Sequence, residues 1–182
     1  MIIPFFSVSQ NKIIGINYSF NKNQYTTFQS VLCDCSYEGE GSFDIGINYI
    51  KPISNRLSLM IDIQYSEQKI LGISFWDGTD HFTNYRLKIW NFPLSLKYDF
   101  LKYFFINSGI SFSKDVSDSR VSLDNQTGFG AQLGLGGQIS IDNLYIAINP
   151  EIKVYTLVPL VDDILQYHAV ESGIKFLAGY KF

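Results

Sequence analysis

The chain has 182 residues, which is the length of a single domain. Its 14 basic and 17 acidic residues give a net charge of −3, so it lacks the basic surface that a nucleic-acid partner requires. No segment approaches the roughly 18 consecutive apolar residues of a helical membrane span. Aromatic residues make up 16% of the chain, which favours strands over helices.

Residues 1–6 are apolar, but they are few and include no basic residue. A secretory signal combines a basic start with a longer apolar stretch, so this segment does not fit one. The chain is then either a mature protein whose signal was removed or a protein that is not exported. The patterns further along favour the mature protein.

Apolar and polar residues alternate along most of the chain. In the clearest segment, from Leu57 to Tyr65, every odd-numbered residue is apolar. Eight segments have this period of two, which predicts eight strands, and none has the 3.6-residue period of an amphipathic helix. The eight lie near 12–20, 42–50, 56–66, 85–98, 102–113, 127–141, 144–156 and 168–182, within one predicted domain over 1–182.

The links between the predicted strands are alternately long and short. This alternation is typical of an up-and-down meander, and closing such a meander into a barrel removes its exposed edges. The long links cover 21–41, 67–84, 114–126 and 157–167, and the short ones cover 51–56, 99–102 and 142–143.

The fourth predicted strand changes parity along its length. Leu87 and Ile89 lie on one set of alternate positions, whereas Trp90, Phe92 and Leu94 lie on the other. The change predicts a β-bulge near Ile89 or Trp90, or a stretch that rises beyond the membrane.

The two faces of the predicted barrel differ in size and polarity. One face is Ile, Leu, Phe, Tyr and Val, and the other is rich in Gly, Ser and Asn. Because eight strands leave an interior only just wide enough for side chains, the small polar face fits inside and the bulky apolar face fits lipid. The prediction is an all-β, eight-stranded antiparallel up-and-down transmembrane β-barrel. The alternative is a soluble, lipocalin-like barrel with the apolar face turned inward.

The inward face carries charges of both signs, which we expect to pair because buried charges require partners. Aromatic residues gather near the strand ends, where membrane barrels carry interfacial girdles. The predicted polar network of the lumen comprises Asp44, Asp62, Lys97, Glu151, Lys153 and Lys175.

Five segments carry a resemblance to a known family, and together they cover most of the predicted strands. They are Ile45–Tyr49, Arg56–Ser66, Phe92–Tyr98, Gly128–Gly136 and Ala178–Phe182. In these segments the chain resembles the small outer-membrane β-barrel proteins of Bacteroidetes, the PorT-like group, which share the eight-stranded OmpA/OmpX-type architecture. The resemblance implies a bacterial outer-membrane location with long loops outside and both termini in the periplasm.

The final strand resembles the signal that the outer-membrane barrel-assembly machinery reads. Lys175, Tyr180 and Phe182 match its polar and aromatic positions, whereas its usual glycine position is Leu177 here. The resemblance therefore implies an assembly signal at Lys175, Tyr180 and Phe182.

Two groups of residues are candidates for a metal site, a disulfide or a catalytic site. Cys33 and Cys35 are separated by one residue, which strains a disulfide, and two thiols alone make an incomplete zinc site, so we expect free thiols or a link to a partner. His168, Glu171 and Ser172 are close in sequence, but Glu171 and Ser172 lie on opposite faces of a strand. The sequence therefore predicts no catalytic residue, no cofactor and no metal site.

These patterns predict a non-enzymatic accessory or structural subunit of a larger envelope complex, serving secretion, nutrient uptake or barrel assembly. Acidic residues outnumber basic ones in the long links. Their negative charge either binds lipopolysaccharide through bridging divalent cations or keeps the surface soluble. The expected partners are outer-membrane lipid, lipopolysaccharide, a larger outer-membrane complex and the barrel-assembly machinery. The alternatives are a surface protein for adhesion or lipopolysaccharide contact and an outer-leaflet lipid-modifying enzyme.

Overall fold

The fold is an eight-stranded antiparallel barrel in up-and-down order, closed by pairing of the last strand with the first. The computed structural model describes residues 11–27, 35–76, 79–117, 125–161 and 167–182. The strands are β1 (Ile13–Thr27), β2 (Cys35–Pro52), β3 (Leu57–Trp76), β4 (Thr79–Asp99), β5 (Phe104–Asp115), β6 (Gly128–Ile141), β7 (Leu144–Pro159) and β8 (Tyr167–Lys181). The predicted all-β, eight-stranded antiparallel up-and-down barrel is confirmed.

The barrel has two ends, which we name by the chain termini. At the terminal end, β1 begins and β8 ends, and Lys12 and Phe182 exchange two backbone hydrogen bonds of 2.9 Å. The links 53–56, 100–103 and 142–143 also lie at this end, and the distal end carries the other connections. No helix in the described ranges is long and apolar enough to cross a membrane.

The apolar face of the barrel points outward and the polar face points inward. Leu94 is 44% exposed on the outside, whereas Asp62 is 1% exposed on the inside. The same alternation holds along the other strands, so the small polar face fills the narrow interior, as predicted from the volume available inside eight strands. The lipocalin-like alternative, which needs an apolar interior along the full strands, is wrong.

Outward aromatic side chains lie at two levels of the barrel wall, which we call the distal and terminal aromatic rings, and β7 contributes to neither. On β4, Trp90 belongs to the distal ring and Tyr98 to the terminal ring. The distal ring comprises Phe20, Phe43, Tyr65, Trp90, Phe92, Phe112 and Phe129. Eight residues span about 26 Å along a strand, or about 20 Å of barrel height after tilting, close to the roughly 25 Å apolar band of membrane barrels. Aromatic contacts in the rings include Tyr65–Trp90 at 5.5 Å, Phe92–Phe112 at 6.2 Å, Phe112–Phe129 at 5.6 Å and Phe100–Phe104 at 6.3 Å.

β2, β3 and β4 continue past the distal aromatic ring as a protruding sheet, and β1 and β8 also stay paired past it, to Thr27↔Tyr167. β3 and β4 stay paired from Leu57↔Tyr98 to Trp76↔Thr79, so only residues 77–78 join them. The predicted long link at 67–84 is therefore wrong. β2 also continues, pairing with β3 as far as Cys35↔Ser74, which shortens the predicted 21–41 link. The outward face becomes charged past the distal ring and the inward face becomes apolar, which breaks the alternation although the backbone pairing persists. Cys33 and Asp34 lie outside the described residues.

The bulge predicted near Ile89 or Trp90 is absent from the described β3–β4 pairing, which keeps one register throughout. Leu87 and Ile89 point into the barrel and are buried, because the interior becomes apolar above the distal ring. Bulges occur instead between Gly39 and Gly41 on β2 and opposite Phe129–Ala131 on β7.

Glycines on the inner face let the strands curve tightly. A Cβ added to Gly109 would lie 2.2 Å from the Leu94 carbonyl oxygen and 2.4 Å from the Cα of Ser95, both backbone atoms that side-chain rotation cannot move. The neighbouring Ser108 points outward and is exposed.

We expect Gly109→Val to destabilise the barrel by about 1–3 kcal/mol or more, because the new side chain overlaps backbone atoms of β4. The matched control is Ser108→Val, one residue away on the outer face, which should be neutral or slightly stabilising. Urea unfolding in detergent micelles, followed by tryptophan fluorescence, measures both. Equal stability of the two variants would contradict the close approach.

Candidate functional site

The barrel interior is layered, with a charged middle between two apolar layers. The apolar residues of the terminal layer are Ile13, Ile50, Met60, Phe105, Tyr145, Ala147 and Leu177. Those of the distal layer are Ile70, Leu87, Ile89, Tyr155 and Ala169. Every one of these side chains is at least nine-tenths buried, so the layers close both ends of the polar middle.

Lys153 lies at the centre of the polar middle. Its ammonium forms an ion pair with Asp44, and its Nζ lies 3.4 Å from Glu151 Oε1 and 3.4 Å from Glu171 Oε2. β7 supplies Lys153 and Glu151, since residues two apart on a strand face the same side. The single positive charge of Lys153 is therefore shared among three carboxylates.

Lys175 on β8 continues the network toward the terminal end. Its Nζ lies 2.9 Å from Glu151 Oε2 and 3.8 Å from Asp62 Oδ2. Asp62 Oδ1 also accepts hydrogen bonds from Asn17 at 2.8 Å and Asn48 at 2.7 Å. Glu151 thus links the two lysines into one chain of charges.

Glu171 belongs to this network, which sequence reasoning missed. The Tyr155 hydroxyl donates to Glu171 Oε2 at 2.8 Å, and the Ser42 hydroxyl donates to Oε1 at 2.6 Å. The signal was present, because Glu171 and Lys175 share the inward parity of β8.

The network holds more negative than positive charge. Asp44, Asp62, Glu151 and Glu171 face two lysines, so full ionisation would leave a formal excess of two negative charges. Neutral donors offset part of this excess, because hydroxyl and amide groups hydrogen-bond to carboxylates in place of water. On Asp44, for example, Oδ2 accepts from Ser19 at 2.7 Å and from Asn21 at 3.0 Å.

Lys97 is the one predicted lumen residue that the structure places apart. Its Nζ lies 2.5 Å from Asp99 Oδ1 at the terminal end and 4.8 Å from the centre of the Phe105 ring. Asp99 Oδ1 also accepts from Gln138 at 2.7 Å. The other five predicted residues, Asp44, Asp62, Glu151, Lys153 and Lys175, form the connected network.

The three residues of the predicted assembly signal lie on two faces of β8. Lys175 is buried in the lumen, whereas Tyr180 and Phe182 are exposed on the outside at the terminal end. Their assembly role stays a prediction.

The residues considered for chemistry do not form a catalytic arrangement. His168 is buried with Nδ1 2.8 Å from the Thr156 carbonyl oxygen, and Ser172 is exposed on the outside. Four residues along a strand separate backbone positions by about 13 Å, too far for a nucleophile–base pair. Glu171 is held by the lysine network. Among the described residues, no group of three or more His, Cys, Asp or Glu is placed to hold a metal ion.

Comparison with known proteins shows the fold alone. No family model matches the chain, and no curated protein matches its sequence. The fold is similar to that of OprG. That outer membrane protein from Pseudomonas aeruginosa superposes with a TM-score of 0.61 at 10% identity, over 95% of this chain and 96% of its own. The outer membrane protein AlkL, solved in DMPC lipid bilayers, gives 0.55 at 14% identity, over 100% of this chain and 96% of its own.

We expect Lys175→Met to destabilise the barrel by about 3–5 kcal/mol, because it leaves Asp62 buried without a counter-charge and leaves Glu151 with only Lys153, which it shares with Asp44 and Glu171. Adding Glu151→Gln should recover part of the loss, since it removes one carboxylate of the negative excess. The control is Lys51→Met, which removes an exposed lysine. Urea unfolding in micelles measures all four proteins, and a Lys175→Met variant as stable as Lys51→Met would contradict the pairing.

Proposed function

We propose that the chain is a bacterial outer-membrane barrel. The observation that supports this most strongly is the exterior, which is apolar on all eight strands and bounded by two aromatic rings. An apolar band of this height would aggregate in water and matches the hydrocarbon layer of a bilayer. The similarity in fold to OprG and AlkL, both described as outer membrane proteins, supports the same proposal.

We propose that the terminal end faces the periplasm and the distal end faces outside. Outer-membrane barrels have short periplasmic turns and longer extracellular segments. The terminal end here carries the tight link 142–143, whereas the distal end carries the protruding sheet of β2, β3 and β4. This orientation puts both chain termini in the periplasm.

In a lipid bilayer, Leu94→Arg should cost about 2–4 kcal/mol, because Leu94 lies midway between the aromatic rings and arginine is costly at the bilayer centre. Leu101→Arg is the control, since Leu101 lies in a link at the terminal end and is 59% exposed. It should cost about 1 kcal/mol or less. Urea unfolding in DMPC vesicles compares the two, and equal costs would contradict the proposed depth.

We further propose that the protein is a non-enzymatic accessory subunit of a larger envelope complex, for secretion, uptake or barrel assembly. The two apolar layers support this, because side chains from facing strands close the lumen in the described part of the chain. A barrel filled in this way acts through its outer wall and its ends. The resemblance to the PorT-like group of Bacteroidetes is consistent with such a role.

An apolar patch at the distal edge of β7 supports contact with a protein partner. Leu157, Val158, Leu160 and Val161 are each at least 40% exposed. Val158 pairs with Phe129 of the distal aromatic ring, and Leu160 and Val161 extend past it. Apolar surface beyond the lipid level is stabilised by a protein neighbour, since water would otherwise cover it. We propose a larger outer-membrane protein as that neighbour.

The test is extraction of native outer membranes in mild detergent, followed by size-exclusion chromatography and mass spectrometry. The accessory role predicts elution with larger proteins in fixed proportion, and the double variant Leu160→Ser/Val161→Ser should elute mostly alone. Leu101→Ser, at the opposite end, should keep the partners.

Elution of the wild type alone, near 20.8 kDa plus a micelle, would contradict the accessory role. It would favour the second candidate, a surface protein for adhesion or lipopolysaccharide contact. The protruding sheet favours that candidate, because His81, Phe82, Thr83 and Asn84 are exposed on both of its faces.

A further inference from the structure

We propose that Arg86, Lys88 and Lys114, with Lys69 at the edge, form a binding site for the phosphate groups of lipid A in the outer leaflet. We call these four residues the basic cluster. The proposal rests on the outer-membrane location and orientation proposed above. It names a lipid site on the barrel wall, distinct from the protein-facing patch on β7.

The basic cluster lies on the outer face of three neighbouring strands. Lys69 on β3 is directly opposite Arg86 on β4, and Lys88 is opposite Glu67. Lys114 on β5 is opposite Trp90, and Trp90 is the next outward residue after Lys88 on β4. Strand pairing thus brings together four cations from three separate segments of the sequence.

The cluster has an unbalanced charge. Glu67 is the acidic member nearest its centre, with Oε1 3.5 Å from Arg86 Nη1 and a strand position opposite Lys88. Two further carboxylates lie on β2, on the far side of β3: exposed Glu38 opposite Leu71, and Glu40 at the bulge. Like charges directly opposite on a sheet destabilise it, so the Lys69–Arg86 pair is costly unless an anion lies between its members.

The height of the cluster suits a phosphate at the membrane surface. Lys88 is two residues and Arg86 four residues beyond Trp90 of the distal ring. Allowing for strand tilt, these positions lie about 5 and 10 Å above the ring, at the headgroup layer. The acyl chains of the same lipid would then pack on Trp90, Phe92 and Phe112 below.

The outward basic residues are concentrated on one side of the barrel. At the corresponding height on β7 and β8, the described outward residues are Leu157, Val158, Val170 and Ser172, which carry no charge, and β1 carries one exposed cation, Lys22, opposite Ser172. A general attraction to an anionic surface would not require four cations on three neighbouring strands. The side with the cluster therefore fits a bound phosphorylated lipid, and the uncharged wall of β7 and β8 fits a protein neighbour.

The backbone around Lys88 is held by the neighbouring strand. The Lys88 N–H donates to the Ser117 hydroxyl at 2.8 Å, and the Val116 N–H donates to the Lys88 carbonyl oxygen at 2.9 Å. These bonds fix the strand that presents Arg86 and Lys88. Arg86 has a planar guanidinium with the geometry for two hydrogen bonds to one phosphate.

The test uses the full chain in nanodiscs of phosphatidylcholine with a minor fraction of lipid A. Native mass spectrometry counts the lipid A molecules retained, and titration with fluorescent lipid A gives a Kd. The variant is Arg86→Gln/Lys88→Gln/Lys114→Gln. The matched control is Lys12→Gln/Lys51→Gln/Lys102→Gln, which removes three exposed lysines at the terminal end.

The wild type and the control should retain lipid A, and the variant should bind it on the order of 100-fold more weakly, since each of the three basic residues contributes roughly a factor of five. Lipid A lacking both phosphates should show no such difference. Single substitutions of the same residues should each lose part of the affinity, which keeps the test valid if the triple variant folds poorly.

Equal losses in the variant and the control would overturn the site, because they would indicate attraction to charge anywhere on the barrel. Entry of the wild type into nanodiscs without retention of lipid A would also overturn it, while leaving the proposed membrane location intact. Failure to enter nanodiscs at all would overturn the membrane location and the site together.

Discussion

The narrow interior of an eight-stranded barrel is the constraint on which the rest of this structure depends. The space admits side chains but little else, so each inward charge must find its partner among the inward residues of other strands. Lys153 and Lys175 meet this requirement by sharing Glu151 and by reaching Asp44, Glu171 and Asp62. Hydroxyl and amide donors complete the shell. The same network cross-links five of the eight strands, which fixes their register against one another.

The fold was predictable because the outer and inner faces of the barrel wall have opposite polarities, which gives alternate residues opposite character. At Leu57–Tyr65 the outer face is apolar and the inner face polar, so the period of two is clear and places Asp62 and Gln64 inside. Past the distal ring, on β3 and β4, the outward residues become charged and the inward ones apolar. The pattern inverts there, so Leu87 and Ile89 suggested a bulge and residues 67–84 suggested a loop, although the strands continue.

The candidate site was predictable in its membership and less so in its connections. Parity identified the inward charges, but parity within one strand does not say which strand lies across the barrel. Lys97 therefore shares a face with the network and still pairs with Asp99 beside it. The basic cluster was not predicted for a related reason. Lys69 falls in a predicted link and Arg86 in a predicted strand, and only the pairing of β3 with β4 shows that they are direct neighbours.

The backbone hydrogen bonds between Lys12 and Phe182 have a consequence for folding. The first and last strands are neighbours in space while being separated by nearly the whole chain, so their contact has the largest loop-closure entropy in the molecule. Until this contact forms, the meander is an open sheet with two unpaired edge strands, which can pair with other chains. Because the pairing of β1 with β8 joins the two ends of the chain, its high contact order predicts that this seam closes last. Folding conditions that keep the two edge strands away from other chains should therefore favour the closed barrel over aggregates.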